Sequence, residues 1–329
     1  MPSQIILIAL ILGVIFVNGW TDAPSAIVSA VVTRAIPSKK AVVLSAIANL
    51  LGTVLMLIIN SSVMLTIENL IDFNSLSKHN TTCILSASLI TIIVWASVAS
   101  IFGIPTSESH ALVASIVGAG VSASGVSSVN FSAITSVLIG LVTSVVIGLS
   151  LSYIITKVTE LIIANLSKIK YAKHLMRLEV LSSFFMSFMH GAQDGLKFVA
   201  LLILVLKTNQ GGTRLVLGLM VGVVLGLGTM VGGYRIIKKI GLKMVKIEVY
   251  QGFSADLGGA ISLLLPSLLG IPVSTTHAKT AAMVGAGATK SLKKINFKVI
   301  GSLMLSWVLT IPISFIMAFL LYRVFNFFN

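Results

Sequence analysis

The 329-residue sequence is poor in charged residues, in acidic residues and in cysteine. Only 10% of its residues carry a charge, whereas a soluble domain has about a quarter. Hydrophobic residues make up 56%, and long apolar runs recur from end to end. Such a chain cannot cover itself with a water-facing surface, so lipid must be its main solvent. The composition excludes a soluble enzyme, a nucleic-acid binder and a disordered scaffold.

Cys83 is the one cysteine of the sequence, which excludes an internal disulfide and a cysteine-based metal site. No lysine or arginine precedes Arg34, so the apolar stretch 5–17 lacks the basic start of a signal peptide. The sequence that follows it is also a poor cleavage site. We therefore interpret this stretch as the first membrane helix.

Ten apolar segments are predicted, at 5–35, 41–59, 82–104, 107–124, 132–156, 178–206, 213–235, 250–271, 274–289 and 299–322. The first and the sixth are longer than the ~20 residues of one plain crossing. Each has polar residues and glycine in its middle, at 18–24 and at 190–195. Pro24 also removes a helical hydrogen bond from the first segment. We expect both segments to be interrupted helices.

The net charge of +14 arises from basic residues that are concentrated in four loops, after the first, fifth, seventh and ninth segments. These loops hold 17 of the 23 basic residues, so the positive-inside rule makes them cytoplasmic and puts both termini outside. With this orientation the second half repeats the first upside down, as in inverted-repeat transporters. The predicted parts are a first transmembrane repeat (1–156), a basic cytoplasmic linker (157–177) and a second, inverted transmembrane repeat (178–329).

Two pairs of segments, the third with the fourth and the eighth with the ninth, each enter and leave the membrane on the same side. Charge counting leaves open whether each pair is a re-entrant hairpin or two full crossings. Gly-Ile-Pro-Thr-Ser-Glu-Ser-His-Ala joins the first pair at 103–111 (tip 1), and Gly-Ile-Pro-Val-Ser-Thr-Thr-His-Ala joins the second at 270–278 (tip 2). Their offset of 167 residues is close to the 172 between Asp22 and Asp194, which indicates an internal duplication.

In each tip, a proline beside hydroxyl residues predicts a helix N-terminus. Free backbone N–H groups and the positive dipole end favour anion binding there, and two tips that meet could enclose one tetrahedral oxyanion. Ordinary capped turns are the alternative. His110 and His277 hold equivalent positions, where we expect each to hydrogen-bond its turn. The candidate substrate-binding hydroxyls are those of Thr106, Ser107, Ser109, Ser274, Thr275 and Thr276.

Five of the nine acidic residues are predicted to lie in or near loops: Glu68, Asp72, Glu160, Glu179 and Glu248. The other four lie inside the apolar segments, where carboxylates commonly mark ion or proton pathways. Bound cations, protons or ion pairs with Lys197 and Lys279 must compensate them. Hard oxygen ligands without cysteine suit an alkali cation, so we expect sodium at Asp22 and Asp194. The candidate cation or coupling residues are Asn18, Asp22, Glu108, Gln193, Asp194 and Asp256.

These features resemble the inorganic phosphate transporter (PiT) family of secondary carriers. Its members carry a Gly-Ala-Asn-Asp unit early in each half and a Pro-x-Ser-Thr-Thr-His unit later. The corresponding units here are Asn-Gly-Trp-Thr-Asp-Ala at 18–23, His-Gly-Ala-Gln-Asp at 190–194 followed by Lys197, and the two tips. Tip 2 is a full match. The resemblance covers essentially the whole chain in order.

The resemblance implies an all-α integral membrane protein with two inverted-topology repeats, broken helices and two re-entrant hairpins. It also implies phosphate symport with sodium or a proton across the plasma membrane by alternating access, without a resident cofactor. The expected partners are phosphate, sodium or a proton, and the lipid bilayer. A homodimer is compatible with the sequence, which does not fix the oligomeric state. The resemblance places cations near Asp22 and Asp194, and phosphate against Ser107, Ser109, Ser274, Thr275 and Thr276.

The sequence departs from the family at Thr21, Ser25 and Gln193, where the family has asparagine, and at Glu108, where it has threonine. An extra carboxylate beside an anion site repels phosphate unless it is protonated or paired with a cation. The choice between sodium and proton therefore stays open. Sulfate or another oxyanion is the alternative substrate. An intramembrane enzyme is disfavoured, because neither His-Glu-x-x-His nor Gly-x-Ser-x-Gly occurs.

Overall fold

The computed structural model describes residues 2–102, 104, 106–208, 210–232 and 237–328, and this part of the chain is helical almost throughout. The all-α prediction is confirmed. Gly103 and Pro105 of tip 1, and Arg235 of the basic loops, lie outside the described residues. The α-helices are α1 (Pro2–Thr21), α2 (Val28–Val32), α3 (Ser38–Ile59), α4 (Ser62–Glu68), α5 (Lys78–Ile101), α6 (Glu108–Ser124), α7 (Phe131–Ile163), α8 (Lys168–Leu206), α9 (Gly211–Val231), α10 (Val249–Leu268), α11 (Thr275–Ala288) and α12 (Phe297–Phe328).

Seven helical stretches of the described residues are long and apolar enough to cross a membrane. They coincide with the first, second, third, fifth, sixth, seventh and tenth predicted segments. The other three predicted segments correspond to α6, α10 and α11, which have 17, 20 and 14 residues. These seven stretches of the structure are Ser3–Val32, Ser38–Ile59, Lys78–Ile101, Phe131–Ile163, Tyr171–Leu206, Gly211–Val231 and Phe297–Phe327.

The predicted interruption of the first segment is confirmed. α1 ends at Thr21, a 3-10 helix follows at Ala23–Ile27, and α2 begins at Val28. Pro24 lies in the first turn of the 3-10 helix, where its missing N–H costs no internal hydrogen bond. The break leaves Asp22 buried, at the junction between two helical segments.

The predicted interruption of the sixth segment is wrong, because α8 passes through 190–195 without a break. This stretch has no proline to remove a backbone hydrogen bond. Its glycines serve close packing instead: a Cβ on Gly191 would lie only 2.2 Å from the backbone oxygen of Asn49 in α3. The second polar stretch is therefore an unbroken helix pressed against its neighbour.

The two tips meet inside the protein because each tip helix packs against the long final helix of the other half. α6, which follows tip 1, packs along α12, and α11, which follows tip 2, packs along α7. α10 lies against both α7 and α8. Pro272 of tip 2 is buried by this arrangement.

The region 157–177, which the sequence predicts to be a basic linker, is largely helical. The last turns of α7 and the first turns of α8 occupy it, and only residues 164–167 lie between these helices. The division into two repeats on either side of this region stays a prediction.

Candidate functional site

Buried polar residues of four elements converge between the two tips, the break after α1 and the middle of α8. One ligand atom each of Asp22, His190 and Asp194 lie within 4.8 Å of one another. All three side chains are buried. We name this place the central site, which comprises these residues, Asn18, Lys197 and the two tips. The structure thus brings together the two aspartates that the sequence places 172 residues apart.

Asp194 on α8 accepts two hydrogen bonds and lies beside the ring of His190. Lys197 Nζ donates to its Oδ1 at 2.7 Å, and Asn18 Nδ2 donates to its Oδ2 at 3.2 Å. His190 Nε2 lies 3.4 Å from the same Oδ2. The other ring nitrogen of His190, Nδ1, lies 3.1 Å from Asn49 Oδ1, which can only accept, so Nδ1 carries a hydrogen. This carboxylate is therefore compensated within the protein.

Lys197 also joins both tips to α8. Its Nζ donates to Ser109 Oγ of tip 1 at 2.6 Å and to the backbone oxygen of Val273 in tip 2 at 2.8 Å. Together with Asp194, these acceptors use all three hydrogens of the ammonium group. Ser109 Oγ is in turn 3.1 Å from the Val273 oxygen, to which it donates. A single buried lysine thus fixes the relative position of α8, tip 1 and tip 2.

Asp22 is held much more loosely than Asp194. Thr275 Oγ1 of tip 2 donates to its Oδ2 at 3.4 Å. Within the described part of the chain, Asp22 Oδ1 and Asn18 Oδ1 are buried without a hydrogen-bond partner. A buried carboxylate without compensation is costly. Asp22 Oδ1 and Asn18 Oδ1 are therefore candidate cation ligands.

Glu108 begins α6, where the helix dipole favours a negative charge. Thr21 Oγ1 contacts its Oε1 and also lies 2.7 Å from the Val17 backbone oxygen, so a single hydroxyl hydrogen faces two acceptors. Glu108 Oε2 has no partner among the described residues. A cavity of about 10 Å³ lies beside it, with room for about one water molecule or bare ion. The cavity is lined by Asn18, Ile92, Glu108, Ser109, Leu112, Asp194, Lys197 and Phe198.

Both tips end at capped helix N-termini, as the sequence predicts. Ser107 Oγ accepts from the backbone N–H of His110 at 3.3 Å, and Ser274 Oγ accepts from that of His277 at 3.4 Å. The six predicted substrate hydroxyls are all buried around these caps. Their role in phosphate binding stays a prediction.

The expectation that each tip histidine hydrogen-bonds its own turn through its ring is wrong. The rings of His110 and His277 contact each other, with centroids 4.6 Å apart, and His277 lies against Trp307 at 3.7 Å. Neither ring nitrogen of either histidine has a hydrogen-bond partner among the described residues. The serine caps accept from the backbone N–H groups of the two histidines, while the rings contact each other.

Gln193 fastens tip 2 to α8. Its Nε2 donates to Ser267 Oγ at 2.8 Å, and its Oε1 accepts from the backbone N–H of Val273 at 3.3 Å. Both ends of the amide are therefore engaged by tip 2 and the end of α10. Its predicted role as a cation ligand stays a prediction.

Asp256 belongs to a second polar group, which we name the inner cluster: the buried Ser29, Glu179, Asp256 and Lys279, and the half-buried Thr33. Lys279 forms an ion pair with Asp256 and donates to Ser29 Oγ at 2.7 Å, and Ser29 in turn contacts Asp256. Sequence reasoning placed Glu179 in or near a loop, but it is fully buried on α8. The sequence does carry a signal for this burial, because polar residues recur at helical spacing from Glu179 to Asp194.

A family model described as the phosphate transporter family matches the chain at residues 18–178 and 166–318. The chain belongs to the phosphate transporter family. A probable low-affinity inorganic phosphate transporter of Rhizobium meliloti (strain 1021) is 31% identical over 328 residues, which are 98% of this chain and 96% of the relative. One of Bacillus subtilis (strain 168) is 29% identical over 316 residues, covering 94% and 93%.

The fold is also that of a solved family structure. The structure described as "The sodium-dependent phosphate transporter" superposes with a TM-score of 0.89 at 23% identity and covers the whole of both chains. Membership of this transporter family confirms the resemblance found in the sequence, and the function is not enzymatic. With its apolar helices, this family member is a multi-pass membrane protein.

Proposed function

We propose that the protein is a secondary active transporter that carries inorganic phosphate together with sodium or a proton across the plasma membrane by alternating access. One observation carries the proposal. Lys197 joins both tips at the point where the neighbouring Asp22 keeps a buried carboxylate oxygen without a partner. A buried ammonium group between the two tips and an uncompensated acidic group thus share one site, which supports the binding of both an anion and a cation.

The charges of the central site support an order of binding. Asp22, Glu108 and Asp194 face the one ammonium of Lys197, so the site repels a phosphate anion when all three carboxylates are ionised. A cation or proton at Asp22 or Glu108 removes this repulsion, which is strong in a buried site. Cation binding therefore comes first and makes the tips attractive to phosphate.

Phosphate would bind the N-termini of α6 and α11, where backbone N–H groups and hydroxyls converge. The cavity of about 10 Å³ at the closed tips is far too small for this anion. The tips must part to admit it, and Lys197, whose three hydrogens are engaged in the closed arrangement, would turn from Ser109 to the substrate. Such opening to either side in turn is alternating access.

We propose that the halves 1–156 and 178–329 are inverted repeats, and that α5 with α6 and α10 with α11 form re-entrant hairpins. α6 and α11, with 17 and 14 residues, are shorter than the ~20 residues of a plain crossing. The equivalent serine caps and the exchange of tip helices between the halves support the same arrangement. By the positive-inside rule the basic loops lie on the cytoplasmic side, which puts both termini on the outside.

Glu108 favours phosphate over sulfate as the substrate. Its Oε2 is an acceptor without a partner beside tip 1. Phosphate that carries a proton can donate a hydrogen bond to this oxygen, whereas sulfate at neutral pH has no hydrogen to donate. Competition between labelled phosphate and unlabelled sulfate measures the preference.

Uptake of radiolabelled phosphate by reconstituted proteoliposomes tests the function, with a sodium gradient, a pH gradient or neither. We expect one gradient to drive accumulation, and D22N to reduce that accumulation roughly tenfold or more, since it removes the uncompensated carboxylate. E160Q, on the distant Glu160 paired with Lys157, is the matched control and should transport normally. Equal uptake in all conditions, or gradient-driven uptake unchanged by D22N, would overturn the proposal.

A further inference from the structure

A polar stripe on α8 leads from the central site toward the face that bears the basic loops. Glu179, Ser183, Ser187 and His190 precede Asp194 at intervals of four, four, three and four residues, which places them on one side of the helix. All are buried. The hydroxyls of Ser183 and Ser187 have no hydrogen-bond partner among the described residues. Buried polar groups of this kind require an explanation.

A second stripe follows the break after α1. Ser25, Ser29 and Thr33 are four residues apart, and Thr33 Oγ1 lies 2.9 and 2.8 Å from the two carboxyl oxygens of Glu179. Ser25 Oγ is buried without a partner in the described part of the chain. The two stripes therefore both connect the surroundings of Asp22 and Asp194 with Glu179.

Glu179 occupies a space that its neighbours leave for a carboxyl group. A Cβ on Gly252 of α10 would lie 1.8 Å from Glu179 Oε1, so only glycine allows the carboxyl to sit there. None of the ion pairs found among the described residues includes Glu179. Lys279, the ammonium of the inner cluster, is paired with Asp256 instead.

The hydrogen count at Thr33 indicates a proton on Glu179. The Thr33 hydroxyl has one hydrogen but lies within 3.0 Å of the Ser29 backbone oxygen as well as close to both Glu179 oxygens. If Glu179 is protonated, its O–H donates to Thr33, and Thr33 donates to Ser29. If it is ionised, a buried carboxylate without a cation shares a single hydrogen with a competing acceptor, which is costly.

A route for the proton lies next to Thr33. A cavity of about 400 Å³ begins at this half-buried residue and includes the exposed Arg34. The charged groups of the inner cluster beside Glu179 are Lys279 on α11 and its partner Asp256 on α10. The charged and titratable groups that line the cavity are Arg34, Tyr171, Glu248 and Tyr250.

We propose that Glu179 is a proton-binding site of the transport cycle, which holds a proton while the tips are closed and exchanges it with the cavity on the basic-loop side. The coupling role rests on the proposed function. In this role the proton crosses the membrane either with phosphate or in the opposite direction, whichever cation binds at Asp22. The neighbouring hydroxyls of Ser183 and Ser187 would conduct the proton between Glu179 and the central site.

Infrared spectroscopy of the full-length protein in phosphate-free liposomes tests proton binding without any transport. We expect a carboxylic-acid C=O band that titrates with pH, is missing in E179Q and is retained in the control E160Q. E179D moves the carboxyl away from Thr33, so the band should remain at a shifted frequency. A spectrum of E179Q identical to that of the wild type at every pH would overturn the proposal.

Transport tests the coupling. We expect an imposed pH gradient to stimulate phosphate uptake by the wild type and E160Q, and uptake by E179Q to stay at the level found without the gradient. Stimulation of E179Q equal to that of the wild type would overturn the coupling role. If the wild type transports no phosphate, the function fails, while the infrared band decides separately whether Glu179 holds a proton. If E179Q does not fold, E179D takes its place in both tests because it keeps an acid. An infrared band and a stimulation by the pH gradient that are both identical to those of the wild type would then overturn the proposal.

Discussion

The two segments that carry the repeated aspartate motif have different structures. The first breaks at Asp22, whereas α8 continues through Asp194. Asp194 has three polar neighbours, among them the ammonium of Lys197, while Asp22 has one contact at 3.4 Å and an oxygen without a described partner. We infer that the two aspartates have different tasks. Asp194 fixes the framework of the site, and Asp22 is the aspartate that we propose to bind the cation.

Local sequence explains this difference. Pro24 prevents a continuous helix after Asp22, but no proline follows Asp194 within α8. Gly191 instead allows α8 and α3 to approach closely. Two copies of a similar motif thus lie in one interrupted helix and one continuous helix at a single site.

The largest effect is expected for K197M, which removes the group that joins α8 and both tips. Breaking a buried ion pair leaves an uncompensated charge and costs about 3–5 kcal/mol. Thermal unfolding in detergent should show this loss, and phosphate uptake should disappear. The double variant K197M/D194N should recover much of the stability without recovering uptake, because the tips stay unfastened. K197M with wild-type stability would contradict the assigned role.

D22N should separate transport from stability. Because Asp22 is buried without a compensating partner, its neutralisation should leave stability within about 0.5 kcal/mol of the wild type or raise it. Cation-dependent uptake should still fall roughly tenfold or more. Unfolding curves and uptake of the same preparation provide the comparison. A destabilisation as large as that of K197M would show that both aspartates are structural.

G191A tests the close packing of α8 on α3 directly. The added Cβ would meet the backbone of α3, which cannot move as a flexible side chain does, so we expect a loss of about 1–3 kcal/mol. G211A is the matched control, since a Cβ on Gly211 meets nothing within 4 Å. Thermal unfolding measures both. Equal stability of the two variants would contradict the close packing of α8 on α3.

The sequence predicted those features that depend on neighbouring residues. Pro24 broke the first segment and the tip serines capped their helices, because both effects act within one turn. The continuity of α8 was missed, since glycine permits either a break or a close contact and the outcome depends on α3. The separation of Asp256 from the central site, and the burial of Glu179, also depend on how distant helices pack.

The smallest effect is expected for the two tip caps, S107A and S274A. Loss of an N-cap hydroxyl costs about 1 kcal/mol, so each variant should unfold slightly earlier. If phosphate binds both helix N-termini, the KM for phosphate should rise about fivefold in each. Uptake measured over a range of phosphate concentrations provides the comparison. A raised KM in one variant alone would mean that the substrate touches a single tip.

A phosphate site shared by the two tips is tested most directly by a cryo-electron microscopy structure of the protein in lipid nanodiscs with phosphate and the driving cation. We expect tetrahedral density between the N-termini of α6 and α11, in contact with hydroxyls of both tips, and a cation beside Asp22. Phosphate bound elsewhere, or held by one tip with the other tip distant, would contradict a site shared by the two halves.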